Sequence, residues 1–218
     1  MAEAVVFDLD GVILDSEQLW NQAKEALVRD RGGTWRADAP RAMMGMSSPE
    51  WSSYLHDALG VPLDPETINQ DVVARMEALY RERLPLLPGA IRSVRGLASR
   101  WPLGLASSSN REIIELVLRE AGLTDAFATM VSSEEVARGK PAPDVYLEAA
   151  RRIGVHPPLC VAIEDSSNGL RSAAAAEMTV IAVPNAHYPP EADALALATA
   201  TLESLYELTP ELVERVAT

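Results

Sequence analysis

The run Ala4-Val5-Val6-Phe7 is apolar throughout and stops on Asp8-Leu9-Asp10-Gly11. A strand without polar alternation is buried on both faces, the pattern of a parallel sheet covered by helices. Ligands of such sheets sit beyond the carboxyl ends of the strands, where the two acids fall. Asp8 and Asp10 share a face until the chain bends. If unpaired, their like charges repel and raise a pKa, a conflict that a bound cation removes. Gly11 lets the backbone turn sharply there and leaves room for a ligand. For this octet alone, a strand end carrying two solvated acids is the plainer alternative.

Three later segments follow the same plan. Leu103-Gly104-Leu105-Ala106 ends in Ser107-Ser108-Ser109-Asn110, and Cys160-Val161-Ala162-Ile163 ends in Glu164-Asp165-Ser166. Between them, Arg138-Gly139-Lys140-Pro141-Ala142-Pro143-Asp144 places a lysine before a proline-primed helix start. Strands are expected over 4–8, 103–107, 129–132, 160–163 and 180–183, with a short edge strand near 198–202. Helical periodicity alternates with them over 111–121, 144–153 and 170–176, with Asn110 or Ser109 able to cap the first. Alternation of strand and helix predicts an α/β fold: a doubly wound, mostly parallel sheet with helices on both faces. From Ser16 to Leu84 no strand-like run occurs, and helices are expected over 17–31, 51–59 and 65–83. Ser47 and Glu50 can form a capping box before the second of these. The domain division is therefore a core of residues 1–15 and 85–218 and an all-helical insertion of residues 16–84.

An acid pair, a hydroxyl, a lysine and a second acid pair now stand in order near strand ends. In this the chain resembles the haloacid dehalogenase superfamily of aspartate-nucleophile phosphatases, over essentially its whole length. The opening Asp8-Leu9-Asp10-Gly11-Val12 with Asp15-Ser16, and the segment Gly139–Asp144, look most like the branch holding β-phosphoglucomutases and sugar-phosphate phosphatases. The resemblance implies a Rossmann-like core with the helical insertion closing over it as a cap.

It also implies roles. Asp8 would attack phosphorus and form an aspartyl-phosphate that water hydrolyses, and Asp10 would be the general acid and base. Asp8, Asp165 and the backbone carbonyl of Asp10, helped by Glu164, would hold Mg2+, an oxygen-seeking cation. Ser107 and the backbone N–H groups after it would hold phosphate oxygens, with Gly11, Ser108 and Asn110 close by. Ser108 and Ser109 read equally as turn and cap residues. Lys140 would neutralise charge developing on the phosphate. In the resembled branch the cap selects the leaving group, here through residues 16–20 and 43–48. β-Phosphoglucomutases carry a histidine where this chain has Trp20, and bases where it has Met44 and Ser48. Their absence favours a phosphatase over a phosphoryl-transferring mutase.

Composition narrows the partners. The net charge of −13 disfavours nucleic-acid backbones and anionic membranes. Residues 16–84 carry 11 acids and 8 bases, the remainder 21 acids and 11 bases. Such a body repels a phosphate ester unless a divalent cation and a lysine reverse the field locally. The chain has 17 arginines but only two lysines, Lys24 and Lys140; a compact ammonium fits between oxygens where a planar guanidinium does not. No apolar run approaches the ~18 residues of a membrane span, and residues 1–7 are too short for a secretory signal. A lone cysteine, Cys160, forms no internal disulfide and reads as a buried, inert thiol. A cytoplasmic address is expected, as is a monomer or weak homodimer.

Trp20, Trp35 and Trp51, with Met43, Met44 and Met46, would line an apolar pocket or simply form the insertion's core. Arg41 is the base nearest the loop. His56, His156 and His187 are expected at surface or loop positions. The reading as a whole is a Mg2+-dependent phosphatase of a small phosphorylated metabolite, a sugar or polyol phosphate. A mutase, a phospho-receiver domain and an inactive binding protein are the rivals.

Overall fold

Six parallel strands form one sheet in the order β3-β2-β1-β4-β5-β6. They are β1 (Ala4–Phe7), β2 (Leu103–Ser107), β3 (Thr129–Ser132), β4 (Cys160–Glu164), β5 (Thr179–Ala182) and β6 (Ala200–Thr201). The computed structural model describes every residue except Gly45, Ala186, His187 and Thr218, so the expectations placed on Gly45 and His187 lie outside the described residues. The chain builds outward from β1 to β3 on one side, then crosses back to β4 and builds the other way. That reversal beside β1 opens a crevice at the strands' carboxyl ends, the position where open α/β sheets bind ligands.

The two faces of the sheet are covered differently. Val5 and Phe7 of β1, with Leu105 and Ile163, face one large apolar cluster. It includes α5 (Ala90–Ala98), α6 (Arg111–Glu120) and α10 (Pro210–Val216). Ala4 and Val6, with Ala106 and Ala162, face the other side, covered by α7 (Asp144–Ile153) and α8 (Ser167–Ala175). This second face is rich in alanine, so its helices approach the sheet closely. The period-2 alternation along β1, β2 and β4 sets which residue meets which layer.

Helices α1 (Glu17–Asp30), α2 (Ala39–Ala42), α3 (Ser48–Asp57) and α4 (Pro65–Glu82) lie between β1 and α5. The chain enters and leaves this helical segment side by side: Asp15 N–H donates to Pro85 O (2.8 Å) and Leu87 N–H to Ile13 O (2.9 Å). α3 begins three residues earlier than expected. Glu50 accepts from the Ser47 backbone N–H at 2.7 Å, and Pro49 sits in the first turn, where a missing N–H is harmless.

Other boundaries move for similar local reasons. α8 starts at Ser167 because the Ser166 hydroxyl accepts from Gly169 N–H (3.1 Å). α5 was not anticipated: its interior Gly96 and outward arginines mask the stripe Ala90, Val94 and Leu97 that it buries. The short α9 (Ala192–Leu195) and α10 were also unforeseen. Among the described residues no helix is long and apolar enough to cross a membrane.

Candidate active site

Because the sheet is parallel, the ends of β1, β2 and β4 and the segment after β3 converge on one edge. Asp8 follows β1, Ser107 ends β2, and Glu164 ends β4 with Asp165 next. The stretch after β3 delivers Lys140. All are buried, Glu164 and Ser107 completely.

Lys140 joins two of the acids. Its Nζ lies 3.0 Å from Asp8 Oδ1 and 2.6 Å from Glu164 Oε1. Burial works against its charge, but Asp8 and Glu164 outweigh that and hold the ammonium above its ordinary pKa. Glu164 has no oxygen to spare. Oε1 also accepts from the Tyr146 hydroxyl (2.8 Å), and Oε2 from the N–H groups of Asp165 (3.0 Å) and Ser166 (3.3 Å). Glu164 therefore anchors Lys140, and its carboxylate also belongs to the acid cluster expected to help hold a metal. Asp8 Oδ1 accepts from Leu9 N–H at 2.7 Å. Its other oxygen, Oδ2, has no hydrogen-bond partner among the described residues.

Asp10 is gripped by three donors. Oδ1 accepts from the Ser16 hydroxyl (2.5 Å) and the Trp20 indole N–H (3.1 Å), and Oδ2 from the Ser109 hydroxyl (2.5 Å). Trp20, expected from the sequence to help select a leaving group, and Ser109, expected to cap a turn, both donate to Asp10. Neighbouring serines brace the same loop: Ser132 donates to Ser109 O (2.7 Å) and Ser133 to Ser108 O (3.2 Å). Ser107 Oγ accepts from Ser109 N–H (3.0 Å), while Ser108 Oγ is buried without a partner among the described residues.

The acids fit a hard divalent cation. Carboxylate oxygens of Asp8, Glu164 and Asp165 lie within 4.8 Å of one another, and Asp165 Oδ1 is buried with no hydrogen-bond partner among the described residues. An orphaned buried carboxylate oxygen is costly unless something ligates it. Burial pushes the Asp165 carboxyl well above its ordinary value, with Glu164 and Asp8 adding to the shift. Asp8 is likewise raised by burial, opposed by Lys140 and reinforced by Glu164 and Asp10. Gly11 is required twice over. Its φ is +79°, and a Cβ would fall 1.9 Å from Asp165 Oδ2. Gly169 matters equally and carried no sequence signal: a Cβ there would meet the Glu164 carboxylate at 1.9 Å.

One cavity opens over these groups. Its floor is Asp8, Asp10, Ser107, Ser108, Lys140 and Asp165, and its wall comes from the helical segment: Trp20, Lys24, Met43, Met44, Met46 and Trp51. Met44, expected from the sequence to contact substrate, lines this cavity. Trp51 and Met43 do both things asked of them, being buried core residues that also line the cavity. Ser48 and Asn110 are not among its lining residues. They bond to each other (2.8 Å), and Asn110 also donates to Asn69 (3.1 Å) and Glu134 (2.7 Å), so that the pair ties α3 and α4 to the start of α6. Arg41 lines a different cavity, with Arg171 and Tyr188. The base of the helical segment that does reach the main cavity is Lys24, to which the sequence reading gave no role. Its lysine identity in so arginine-rich a chain was the available signal.

Known proteins resemble this chain along most of its length. The family model for haloacid dehalogenase-like hydrolases matches residues 2–177. Hexitol phosphatase B of Escherichia coli K12 is 37% identical over 216 residues, 94% of either chain. A probable pseudouridine-5'-phosphatase of Drosophila melanogaster is 35% identical, covering 94% of this chain and 91% of that one. Among solved structures, Rhodobacter sphaeroides CbbY, determined with phosphate, superposes with a TM-score of 0.85 at 29% identity, covering 95% of this chain and 96% of that chain.

Proposed function

The chain belongs to the haloacid dehalogenase-like hydrolases, and on that premise we propose that it is a Mg2+-dependent phosphatase of a small polyhydroxylated phosphomonoester, a sugar or sugar-alcohol phosphate. The observation that carries this reading is Asp8 pinned by Leu9 N–H and Lys140 beside an Asp10 held by three donors. The phosphatase names of its relatives support the reaction class, and the hexitol phosphatase supports the substrate class.

The chain's own residues divide the work. With Oδ1 fixed by Leu9 and Lys140, Oδ2 of Asp8 is the oxygen that attacks phosphorus. The P–O bond to the leaving group breaks as the Asp8–phosphorus bond forms, and Asp10 gives its proton to the departing oxygen. Asp10 then draws a proton from water, which attacks phosphorus and releases phosphate from Asp8. The three donors around Asp10 are not equivalent. An indole N–H only donates, whereas a serine hydroxyl can turn to accept. Oδ1, facing Trp20, therefore remains an acceptor, and the proton is carried on Oδ2 beside Ser109. Lys140 and the backbone N–H groups after Ser107 would balance charge on the phosphoryl oxygens. Asp8, Asp165 and the Asp10 carbonyl would hold the cation, which supplies positive charge to the phosphoryl group when bound. The helical segment would serve as the cap, at residues 16–84 against a core of 1–15 and 85–218. One buried cysteine and the absence, among the described residues, of a membrane-spanning helix are compatible with work in the cytoplasm.

The test is phosphate release from a panel of hexitol, hexose, glycerol and nucleoside monophosphates with Mg2+, wild type beside Asp8→Asn. Release by wild type, silenced by EDTA and reduced by at least about a thousandfold in Asp8→Asn, is expected. Equal release by the two proteins would overturn the mechanism.

A further inference from the structure

Lys24 is buried in the cavity wall with its Nζ 4.9 Å from the Trp51 ring centroid and 5.4 Å from that of Trp20. Among the described residues it makes no hydrogen bond and no ion pair. Ring faces attract an ammonium, but they do not satisfy its three N–H donors. A buried cation without oxygen partners is costly, so this arrangement calls for an acceptor from outside the chain. The opening beside it is the cavity over Asp8 and Asp10.

The second observation is compositional. In a chain with 17 arginines, both lysines enter this one cavity. A compact ammonium suits the gap between two indoles and an incoming oxygen, where a planar guanidinium would stack instead. Glu17, Trp20, Asn21 and Lys24 recur at helical spacing on α1, and all line the cavity.

We propose that Lys24 is a specificity-determining residue that donates to a hydroxyl of the polyhydroxylated leaving group, with Glu17 and Asn21 completing the contact to adjacent hydroxyls. This rests on the phosphatase reading above. The surroundings decide for a hydroxyl and against a second anion. Glu17 acts electrostatically on Lys24, so an anion placed beside it would be repelled by that carboxylate. A hydroxyl accepts from Lys24 and donates to Glu17 with no such conflict. Apolar walls of tryptophan and methionine with a few convergent polar groups are the usual lining for a ligand that is polar on its rim and apolar on its faces. Burial lowers the Lys24 pKa to about 8 against the opposing pull of Glu17 and Asp10, which makes this amine open to acylation while Lys140 stays an ammonium.

The experiment has two arms. In the first, kcat/KM is measured for sorbitol 6-phosphate and for ethyl phosphate, in wild type and Lys24→Met. The ratio of the two values should fall at least about tenfold in the variant, the loss expected when a hydroxyl-recognising donor is removed. In the second, wild-type protein is treated with acetic anhydride with and without sorbitol, and acetylation of Lys24 is followed by peptide mass spectrometry. Sorbitol should slow it at least about threefold, a change that needs no folded variant and no turnover. An unchanged ratio overturns the proposal, as does a parallel loss on both esters, which would mean that Lys24 acts through Trp20 on Asp10. Labelling that sorbitol leaves unchanged overturns it too. Failure of the phosphatase reading would look different: wild type would release phosphate from neither ester.

Discussion

The floor and the wall of the cavity are built on opposite terms. On the floor, Lys140, Glu164, Tyr146 and the strand ends satisfy one another almost completely, and among the described residues Asp165 Oδ1 and Ser108 Oγ are buried without a partner. On the wall, which three methionines also line, two tryptophans flank one ammonium that no oxygen of the described residues satisfies. The floor is fixed by sheet topology, because four strand ends can meet in only one way once the order is set. The wall is fixed by helix packing, which tolerates exchange among residues of similar volume. On the function proposed above, reaction chemistry would belong to the rigid part, and selection to the part that sequence can change cheaply.

The largest expected effect comes from breaking the floor at a residue that does no chemistry. Gly169→Ala would place a methyl within 2.0 Å of the Glu164 carboxylate. That carboxylate is held by Lys140, Tyr146 and two backbone N–H groups, so it cannot swing aside. Overpacking plus a broken buried ion pair should cost about 3 kcal/mol or more, read as a urea midpoint, with activity lost alongside. Gly96→Ala, in a helix with nothing within 4 Å of the new methyl, should instead be neutral or stabilising by up to about 1 kcal/mol. Equal effects of the two substitutions would refute the picture of a saturated floor.

The floor should also respond to pH when no cation is bound. Burial raises Asp8 and Asp165 above 3.8 in the folded protein, so the folded state holds their protons more tightly than the unfolded chain. The resulting stability is complete below that ordinary value and is lost as pH rises through the folded-state pKa values. Asp165→Asn removes one such charge. In EDTA, its thermal midpoint should exceed that of wild type by a margin that grows from about pH 4 to about pH 8. Added Mg2+ should shrink the margin by stabilising wild type alone. A margin that narrows with rising pH in EDTA would contradict the burial argument.

Much of this floor was legible in the sequence. Apolar runs ending in acids or serines specify parallel strands, and the order of Asp8, Ser107, Lys140 and Asp165 specifies what meets at their ends. Tyr146 and Gly169 were not legible, because a core aromatic and a helix glycine look alike whether or not a buried carboxylate lies against them. On the wall, spacing alone left Trp20 and Trp51 open between core and pocket, and packing makes them both. Ser48 and Asn110 show the limit most clearly. A polar residue in a loop or at a helix start near the site invites a ligand assignment, yet Ser48 bonds to Asn110, and Asn110 also to Asn69 and Glu134.

Trp20 belongs to both regions, so it sharpens the contrast between them. As wall, it would affect binding of bulky leaving groups; as a donor to Asp10 at 3.1 Å, it would affect every ester. Trp20→Phe keeps most of the ring and removes the N–H. A fall in kcat of about tenfold on all esters, with KM little changed, is expected from the loss of one hydrogen bond to a charged group. A KM effect confined to large substrates would return Trp20 to the wall.

The smallest effect should come from the seam. Asn110 accepts from Ser48 and donates to Asn69 and Glu134, and it is buried. Asn110→Ala leaves the Ser48 hydroxyl and one Glu134 contact unpaired, a loss of about 1 to 2 kcal/mol. The neighbouring Glu134 retains Arg111 N–H at 3.2 Å, which limits the damage. Because neither Ser48 nor Asn110 lines the cavity, the ranking of substrates should not move, whereas Lys24→Met should move it without a comparable loss of stability. If Asn110→Ala reorders the substrate panel instead, the seam contributes to selection, and the separation between a chemical floor and a selective wall has to be redrawn to include it.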